Sequence, residues 1–199
     1  FYVDKRVIVP RPPTAELLDQ GLSPWVQDAL AVESVLDMCT GSGCLAILSA
    51  LAFPYAHVDA VDVSADALEV ARRNVGDYGL SDPLDLHASN LFDNLPAREY
   101  DVIVCNPPYV NSGSMRALPQ EYLHEPQLAL AGGDDGMDLV RSILDAAPQY
   151  LSENGVLVLE IGHERDFFEA AFPQLSPVWL DTEEASDQLL LLTREQLSL

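Results

Sequence analysis

The segment Asn106-Pro107-Pro108-Tyr109 directly follows an apolar run at 101–105, which is typical of a buried strand. Asn carries a side-chain carbonyl that accepts hydrogen bonds, while proline fixes the backbone and lacks an N–H donor. A planar –NH2 group could lie on the ring of Tyr109 and donate its hydrogens to the Asn106 side-chain oxygen and the Pro107 carbonyl. The segment therefore predicts either a site for a flat amino group or a proline-stiffened turn.

Polar residues also follow the other strand-like runs of the first half of the chain. Asp37, Gly41 and Gly43 come at the end of the first run, and Asp62 ends the second. The spacing between the two acids is close to the ~20 residues at which an acid holds ribose hydroxyls in nucleotide-binding folds. Asn90 follows the third run. Because the carboxyl ends of parallel strands share one edge of a sheet, we expect these residues to form one site.

The glycine turn after the first strand narrows the class of ligand. It is not a dinucleotide-binding turn, because Leu45 and Ala46 follow Gly43 where a third glycine is expected. It also lacks the Gly-Lys-Ser/Thr ending of a phosphate-binding loop. A nucleoside without phosphates fits better. The carboxylate of Asp37 would repel a pyrophosphate, and it could attract the cationic amino-acid end of S-adenosylmethionine.

Strand and helix patterns alternate along the chain, which predicts an α/β fold with an open, mostly parallel sheet and helices on both faces. Residues 1–34 are expected to form an N-terminal hairpin or edge strand and a helix capped by Thr14, leading into a catalytic domain at 35–199. The predicted strands are 35–39, 57–63, 84–88, 101–105, 155–161, 178–180 and 188–193, the last two antiparallel. The predicted helices include 44–52, one capped by Ser64 that ends at Gly79, 139–151, which Pro148 distorts, and 166–172.

The chain of 199 residues is 48% apolar, which suits one domain. It has no apolar run long enough for a membrane span and no signal-peptide pattern, so we expect a soluble, cytoplasmic protein. Cys39, Cys44 and Cys105 are odd in number and are expected to be free thiols. The four histidines are scattered, so the sequence predicts no metal site.

The formal charge of −22 comes from 32 acidic and 10 basic residues. Such a field repels the phosphates of nucleic acids and attracts a basic partner, although adaptation for solubility or high salt would give the same composition. Residues 111–135 are rich in Pro, Gly and acids and lack periodicity. A loop of that length is often functional. From the net charge we expect a basic protein partner and no direct nucleic-acid binding.

Taken together, the segments 37–43 and 106–109 with Asp62 resemble class I S-adenosylmethionine-dependent methyltransferases of the HemK type, which methylate glutamine side-chain amides in proteins. The start Val9-Pro10-Arg11 and the segment 121–130 are more similar to the branch that modifies large-subunit ribosomal protein three than to the release-factor branch. The resemblance covers essentially the whole chain. The family also carries an upstream helical substrate-recognition domain, which we expect to be absent here.

The resemblance implies that S-adenosylmethionine is the cofactor and S-adenosylhomocysteine its product. The implied cofactor contacts are Asp37, Thr40, Gly41 and Gly43 at the methionine end, Asp62 and Val63 at the ribose, Asn90 and Leu91 at the adenine, and Asn106. Asn90 departs from the family, which usually has Asp there, but an Asn oxygen can still accept from the adenine amino group.

The resemblance further implies that Asn106, Pro107 and Tyr109 are catalytic and that Pro108 and Arg11 join them in contacting the substrate, although Arg11 fits a surface cation equally well. The oxygens would orient the –NH2 group and stabilise positive charge that grows on it. Three alternatives stay open: a release-factor glutamine methyltransferase, an enzyme that methylates the amino group of adenine in nucleic acid, and a non-catalytic adenosyl-ligand-binding assembly factor.

Overall fold

The computed structural model describes residues 1–115 and 126–198, and a seven-stranded sheet forms its centre. The strands are β1 (Ser34–Met38), β2 (His57–Asp62), β3 (Leu84–Ala88), β4 (Tyr100–Cys105), β5 (Leu151–Glu160), β6 (Val178–Leu180) and β7 (Leu189–Thr193). They lie in the order β3-β2-β1-β4-β5-β7-β6. The first five are parallel, whereas β7 is antiparallel to both β5 and β6. The strand order therefore reverses between β1 and β4, which is where open α/β sheets bind ligands.

The helices are α1 (Thr14–Asp19), α2 (Cys44–Ala52), α3 (Ala65–Asp77), α4 (Ser112–Met115), α5 (Asp138–Ala146), α6 (Arg165–Ala171) and α7 (Arg194–Leu197). Short 3-10 turns lie at Ala29–Ala31, Gln127–Ala129 and Ala147–Gln149. The predicted helix 44–52 and strands 84–88 and 178–180 are confirmed, and Ser64 caps α3 by accepting from the Ala67 amide. The predicted helix 139–151 is too long, because α5 ends at Ala146 and Pro148 lies in the 3-10 turn that follows, while Leu151 begins β5.

The sheet has an apolar layer on each face because its central strands alternate between them. Val102 and Val104 of β4 pack into the layer that contains α1 and α2, whereas Ile103 and Cys105 pack into the layer that contains α5 and α6. Strands buried on both faces are typical of a parallel sheet covered by helices. This burial fixes the strand register, and with it the positions of the polar residues at the carboxyl ends.

One carboxylate within the sheet connects three strands. Asp59 of β2 is 1% exposed and accepts from the hydroxyl of Tyr100 on β4 at 2.9 Å. It also pairs with Arg98 at 3.2 Å and lies 2.7 Å from Nε2 of His87 on β3. His57, Asp59 and Asp85 bring their ligand-type atoms within 4.8 Å of one another, a grouping that the sequence spacing does not reveal. Arg98 supplies a positive charge and Tyr100 a hydrogen-bond donor to the Asp59 carboxylate. We therefore assign the cluster a structural role, in which it joins neighbouring strands.

The predicted N-terminal hairpin is wrong. Within residues 1–33 the described chain forms no strand, and residues 1–8 lie along α3 instead. The amide and carbonyl of Tyr2 bond to the side chain of Asn74, and Arg6 pairs with Glu69. The alternation that suggested a strand has another cause, since Val7 and its apolar neighbours pack on the surface of α3.

Two further expectations about local structure need correction. Thr14 is the first residue of α1 rather than its cap, and its side chain is buried and bonds to Glu160 of β5. The fifth strand begins at Leu151 rather than 155, because Leu151 pairs with Tyr100 before a register shift opposite the polar residues that follow it. Residues 121–125, which carried part of the resemblance to the ribosomal-protein branch, lie outside the described residues. In the described part of the chain no helix has the length and apolar character needed to cross a membrane.

Candidate active site

A cavity of about 250 Å³ opens at the carboxyl ends of β1, β2 and β4. It lies at the point where the strand order reverses, and the turn after β3 closes one side of it. Seven of the predicted site residues line it: Gly41, Asp62, Val63, Asn90, Leu91, Asn106 and Pro108. The fold therefore brings together residues from four separate strand ends, as the sequence predicts.

The turn after β1 has backbone conformations that suit close ligand approach. Gly41 has φ +55°, and within the described residues no heavy atom lies within 4 Å of a Cβ built there. A Cβ at Gly43, where φ is +80°, would lie 3.2 Å from Cβ of Ala71, so this glycine lets α2 pack on α3. Cys39, which faces the cavity, has φ +62°. Left-handed backbone at a non-glycine residue is uncommon and concentrates at functional sites.

Asp37 is a buried acid with an unused oxygen. Its Oδ2 accepts from the Thr40 hydroxyl at 2.6 Å, whereas Oδ1 has no hydrogen-bond partner in the described part of the chain. Burial raises the pKa of Asp37 to about 7, partly opposed by the Thr40 hydroxyl and by the nearby Ala46 amide, and the charge of Asp62 adds a smaller rise. A cationic ligand group would satisfy Oδ1 and offset this cost. Asp37 and Thr40 are not among the described lining residues, and their cofactor contacts stay a prediction.

Asp62 joins the ends of β1 and β2. Its Oδ2 accepts from the Gly41 amide at 2.9 Å and its Oδ1 from the Ser64 amide at 2.8 Å. Burial raises the pKa of Asp62, and these backbone donors partly counter it. Each carboxylate oxygen has a second lone pair. The side chain is thus held rigidly at the cavity wall and can still accept from two adjacent hydroxyls, as a ribose presents.

The turn after β3 presents Asn90 to the cavity. Its Nδ2 donates to Asp93 at 3.2 Å, which leaves Oδ1 as the end that can accept from an amino group. The next residue, Leu91, has φ +49° and also faces the cavity. The Ser89 hydroxyl donates to the Leu91 carbonyl and accepts from the Asn94 amide, so the turn is internally bonded. An acceptor beside an apolar wall fits an adenine ring.

Asn106 ends β4 with a defined side-chain orientation. Its Nδ2 donates at 3.0 Å to Oε1 of Glu160, which is 5% exposed at the end of β5. The oxygen Oδ1 is therefore the end left to accept from a ligand. Burial raises the pKa of Glu160 to about 7, partly opposed by hydrogen bonds from Thr14, Asn106 and Tyr109. Sequence reasoning missed Glu160, although a lone acid in the apolar run 155–161 was a visible signal.

Three glycines enclose Tyr109. A Cβ at Gly162 would lie 2.5 Å from Cε2 of the Tyr109 ring, and a Cβ at Gly132 would lie 2.7 Å from its Cα. A Cβ at Gly136 would lie 2.2 Å from its carbonyl oxygen. No side chain fits at these distances, so the backbone approaches Tyr109 from two directions. The ring and backbone of Tyr109 are fixed by packing, in addition to the hydrogen bond to Glu160.

The N-terminal segment contributes residues that sequence reasoning did not select. Arg6, Val7 and Ile8 line the cavity, because the packing of this segment on α3 places it beside Asp62. Arg6 is also bonded to Asp4 and Glu69. Arg11, which was selected, is exposed and is not among the described lining residues, so its substrate contact stays a prediction. Pro126, Leu128 and Ala129, from the long segment 111–135, also line the cavity.

Comparisons with known proteins agree with this architecture. A ribosomal protein uL3 glutamine methyltransferase of Bordetella pertussis is 77% identical over 198 residues, which are 100% of this chain and 66% of that protein. The protein of the same name from Burkholderia pseudomallei is 56% identical over 204 residues, covering 99% of this chain and 66% of that protein. The chain thus spans about two thirds of the length of these relatives.

Among solved structures, a methyltransferase from Pyrococcus furiosus superposes with a TM-score of 0.64 at 17% identity, over 94% of this chain and 89% of that one. At this identity the likeness concerns the fold, and it confirms the predicted class I methyltransferase architecture. The sequence profile of the methyltransferase small domain matches residues 15–133, which contain the glycine turn, Asp62 and the 106–109 segment. The chain therefore belongs to the methyltransferase small domain family.

Proposed function

We propose that this chain transfers the methyl group of S-adenosylmethionine to the side-chain amide nitrogen of a glutamine in ribosomal protein uL3. The name that its relatives carry supports this assignment, and those relatives are longer than the chain by about a third of their length. The formal charge of −22 suits a basic protein substrate and disfavours direct contact with nucleic acid. With a ribosomal protein as substrate, we propose that the reaction takes place in the cytoplasm.

The cavity residues fit each part of the cofactor. Asp37 would face the cationic ammonium with its unused oxygen, and Asp62 would accept from the ribose hydroxyls. Asn90 would accept from the adenine amino group through Oδ1. The bound cofactor supplies an electrophilic methyl group on a sulfonium sulfur. The chain's part is then to hold the acceptor nitrogen in line with that methyl group.

An amide nitrogen is a weak nucleophile because its lone pair is delocalised into the carbonyl. In our proposal Asn106 Oδ1 and the Pro107 carbonyl accept the two N–H groups of the glutamine amide. These acceptors turn the nitrogen toward the cavity and stabilise the positive charge that develops as the N–C bond forms and the S–C bond breaks. The nitrogen then loses one proton to solvent. The fixed ring of Tyr109 would hold the plane of the amide.

The observation that carries the proposal is the orientation of Asn106. Its amide donates to Glu160 and so leaves an acceptor at the cavity that also contains Asp62. An acceptor at the end of β4 selects a donor such as –NH2, and it does nothing for a carbonyl or a phosphate. The proline-stiffened turn alone would not require a buried carboxylate to hold the Asn side chain.

We would test the proposal with Asn106→Ala and labelled S-adenosylmethionine, using unmethylated uL3 and an unmethylated release factor as substrates. The change should lower the rate of transfer to uL3 by roughly a hundredfold, as expected for loss of a charge-stabilising hydrogen bond. The cofactor Kd, measured by calorimetry, should stay within about threefold. Asn154→Ala is the matched control, since Asn154 is exposed and lies at the opposite edge of the sheet.

Transfer by Asn106→Ala at the wild-type rate would exclude the proposed role of Asn106. Transfer to the release factor and not to uL3 would retain the mechanism and contradict the substrate. A chain that binds cofactor and methylates neither protein would point to the adenosyl-binding assembly factor. Transfer to adenine in nucleic acid would replace the substrate class altogether.

A further inference from the structure

The buried carboxylate of Glu160 accepts hydrogen bonds from three different side chains. Oε1 accepts from Nδ2 of Asn106 at 3.0 Å and Oε2 from the hydroxyl of Thr14 at 3.3 Å. The side chain of Tyr109 supplies a third hydrogen bond. Two of these three partners belong to the 106–109 segment. The acid therefore joins β5 both to α1 and to the residues proposed to hold the acceptor.

The continuation of β5 repeats this arrangement. Four residues after Glu160, the buried carboxylate of Glu164 accepts from Nδ2 of Asn111 at 2.9 Å. Between the two acids, Gly162 packs against the ring of Tyr109. The segment 160–164 thus lies along the segment 106–111 and contacts it at both ends and in the middle. Of these contacts, the one from Glu160 to Asn106 reaches the cavity.

The chemistry of a carboxylate makes this contact directional. An ionised carboxylate only accepts hydrogen bonds, so it selects the NH2 end of the Asn106 amide and turns Oδ1 away. A protonated acid can donate, and it would equally well accommodate the flipped amide, with Oδ1 toward Glu160 and two donors toward the cavity. In the flipped state Asn106 would repel the N–H groups of an incoming amide.

We propose that Glu160 is a positioning residue for methyl transfer: its carboxylate fixes Asn106 with the oxygen toward the acceptor amide and holds the Tyr109 ring, so the site is assembled only while Glu160 is ionised. The inference rests on the proposed function. Glu160 does not touch the reacting atoms, and it is not among the described residues that line the cavity. Its effect should therefore fall on kcat and leave cofactor binding unchanged.

The groups around Glu160 determine the pH at which its carboxyl group loses its proton. Burial raises its pKa to about 7. Its neighbours are Leu189 on β7, Thr14 on α1, the side chain of Tyr109 and the thiol of Cys105 on β4. The pKa of Cys105 is itself raised by burial, so this thiol stays neutral. None of the ion pairs between described residues includes Glu160. The active form should thus be present above about pH 7 and be lost as the pH falls through that value.

The first test compares wild type, Glu160→Gln and Thr14→Val in kcat measurements on uL3 from about pH 5.5 to 9. S-adenosylmethionine is kept saturating at every pH, because Asp37 also has a pKa of about 7 and its protonation would otherwise lower the rate through cofactor binding. Wild-type kcat should fall about tenfold per pH unit below pH 7. Glu160→Gln should lower kcat at least tenfold at pH 8 and remove the acid limb, with an unchanged cofactor Kd. Thr14→Val removes only the bond to Oε2, and it should keep kcat at high pH while moving the acid limb to higher pH.

A merely structural Glu160 gives a different pattern. It would make Thr14→Val and Glu160→Gln equally harmful through lost stability, and it would leave the acid limb in place. Because burial of the charge destabilises the fold above pH 7, we expect Glu160→Gln to melt no lower than wild type at pH 8. The inference would be overturned if Glu160→Gln had the kcat of wild type and lost activity below pH 7 in the same way.

A second measurement does not depend on any substrate. The side-chain amide resonances of Asn106, assigned in NMR spectra with the help of Asn106→Ala, should shift with pH with a midpoint near 7 in wild type and stay constant in Glu160→Gln. If the chemical shifts of these resonances did not change with pH in wild type, the inference would be refuted even if methylation occurs. Resonances that titrate in a chain that methylates nothing would confirm that Glu160 orients Asn106 and would reject the proposed function.

Discussion

Asp37→Asn should strengthen the fold and weaken the binding of the cofactor, two effects of opposite sign from one atom. Asp37 is fully buried, and burial raises its pKa from the ordinary 3.8 to about 7. Its Oδ1 is buried without a partner in the described part of the chain. The acid is thus held in a state that costs stability. We expect such a cost to persist only where a bound ligand offsets it.

The size of the stability effect follows from linkage. Because the folded pKa is raised, the folded state binds the proton more tightly than the unfolded state, so stability falls as the pH rises from about 4 to about 7. The full pKa difference corresponds to about 4 kcal/mol. Asn places an NH2 group with two buried N–H donors where Oδ1 lies, so we expect about half of this gain at pH 8. For a chain of this length the melting temperature should rise by about 4–8 °C.

The binding effect has the other sign. Asn can still accept from the Thr40 hydroxyl, but it offers no charge to an ammonium group. Loss of a hydrogen bond to a charged partner is worth about 1.5–3 kcal/mol, which is about a 10-fold to 100-fold increase in the Kd for S-adenosylmethionine. Calorimetry and thermal melts at about pH 5, 6.5 and 8 measure both effects. Asp145→Asn, on the exposed face of α5, makes the same change in charge as a control.

Two results would contradict the roles given to Asp37. One is a Kd for Asp37→Asn equal to that of wild type, which would mean that no cation of the ligand faces this oxygen. The other is a melting-temperature difference between variant and wild type that does not grow with pH. The second result would show that burial of the Asp37 charge does not destabilise the folded state, whatever the role of Asp37 in binding.

Two other changes separate cofactor binding from acceptor positioning. Asp62→Ala removes the acceptor of the Gly41 and Ser64 amides, so calorimetry should show about a 10-fold to 100-fold weaker cofactor, and unchanged affinity would contradict its ribose role. Gly162→Ala should push the Tyr109 ring and lower kcat at least tenfold with cofactor Kd unchanged. Gly79→Ala has a similar positive φ, with no described heavy atom within 4 Å of the new Cβ, and should keep wild-type kcat.

The sequence predicts the sheet well because the relevant signals are local. Apolar runs buried on both faces, such as Val102 to Cys105, have few alternative structures, and a parallel register carries the residue after each run to one edge. Asp62 and Asn106 therefore meet at the cavity although they are far apart in sequence. The short connection between β6 and β7 similarly dictates their antiparallel pairing.

The sequence fails where a pattern has two physical causes. Alternating residues at the N-terminus suit a strand, and they also suit an extended segment on a helix, which is what Asn74 and the surface of α3 provide. Thr14 has the chemistry of a cap, and its hydroxyl instead reaches a strand 146 residues away. Glu160 could not be assigned a role from its neighbours in sequence, because its partners come from α1 and from the end of β4.

The most direct test of the proposed methyl transfer is to locate the methyl group in the product. Unmethylated uL3 is incubated with this chain and S-adenosylmethionine, digested and sequenced by tandem mass spectrometry, with the Asn106→Ala variant run in parallel. We expect a single methyl group on the side-chain nitrogen of one glutamine of uL3, absent from the parallel sample. A methyl group on a lysine, an arginine or a carboxylate of uL3, or an equal yield with Asn106→Ala, would contradict it.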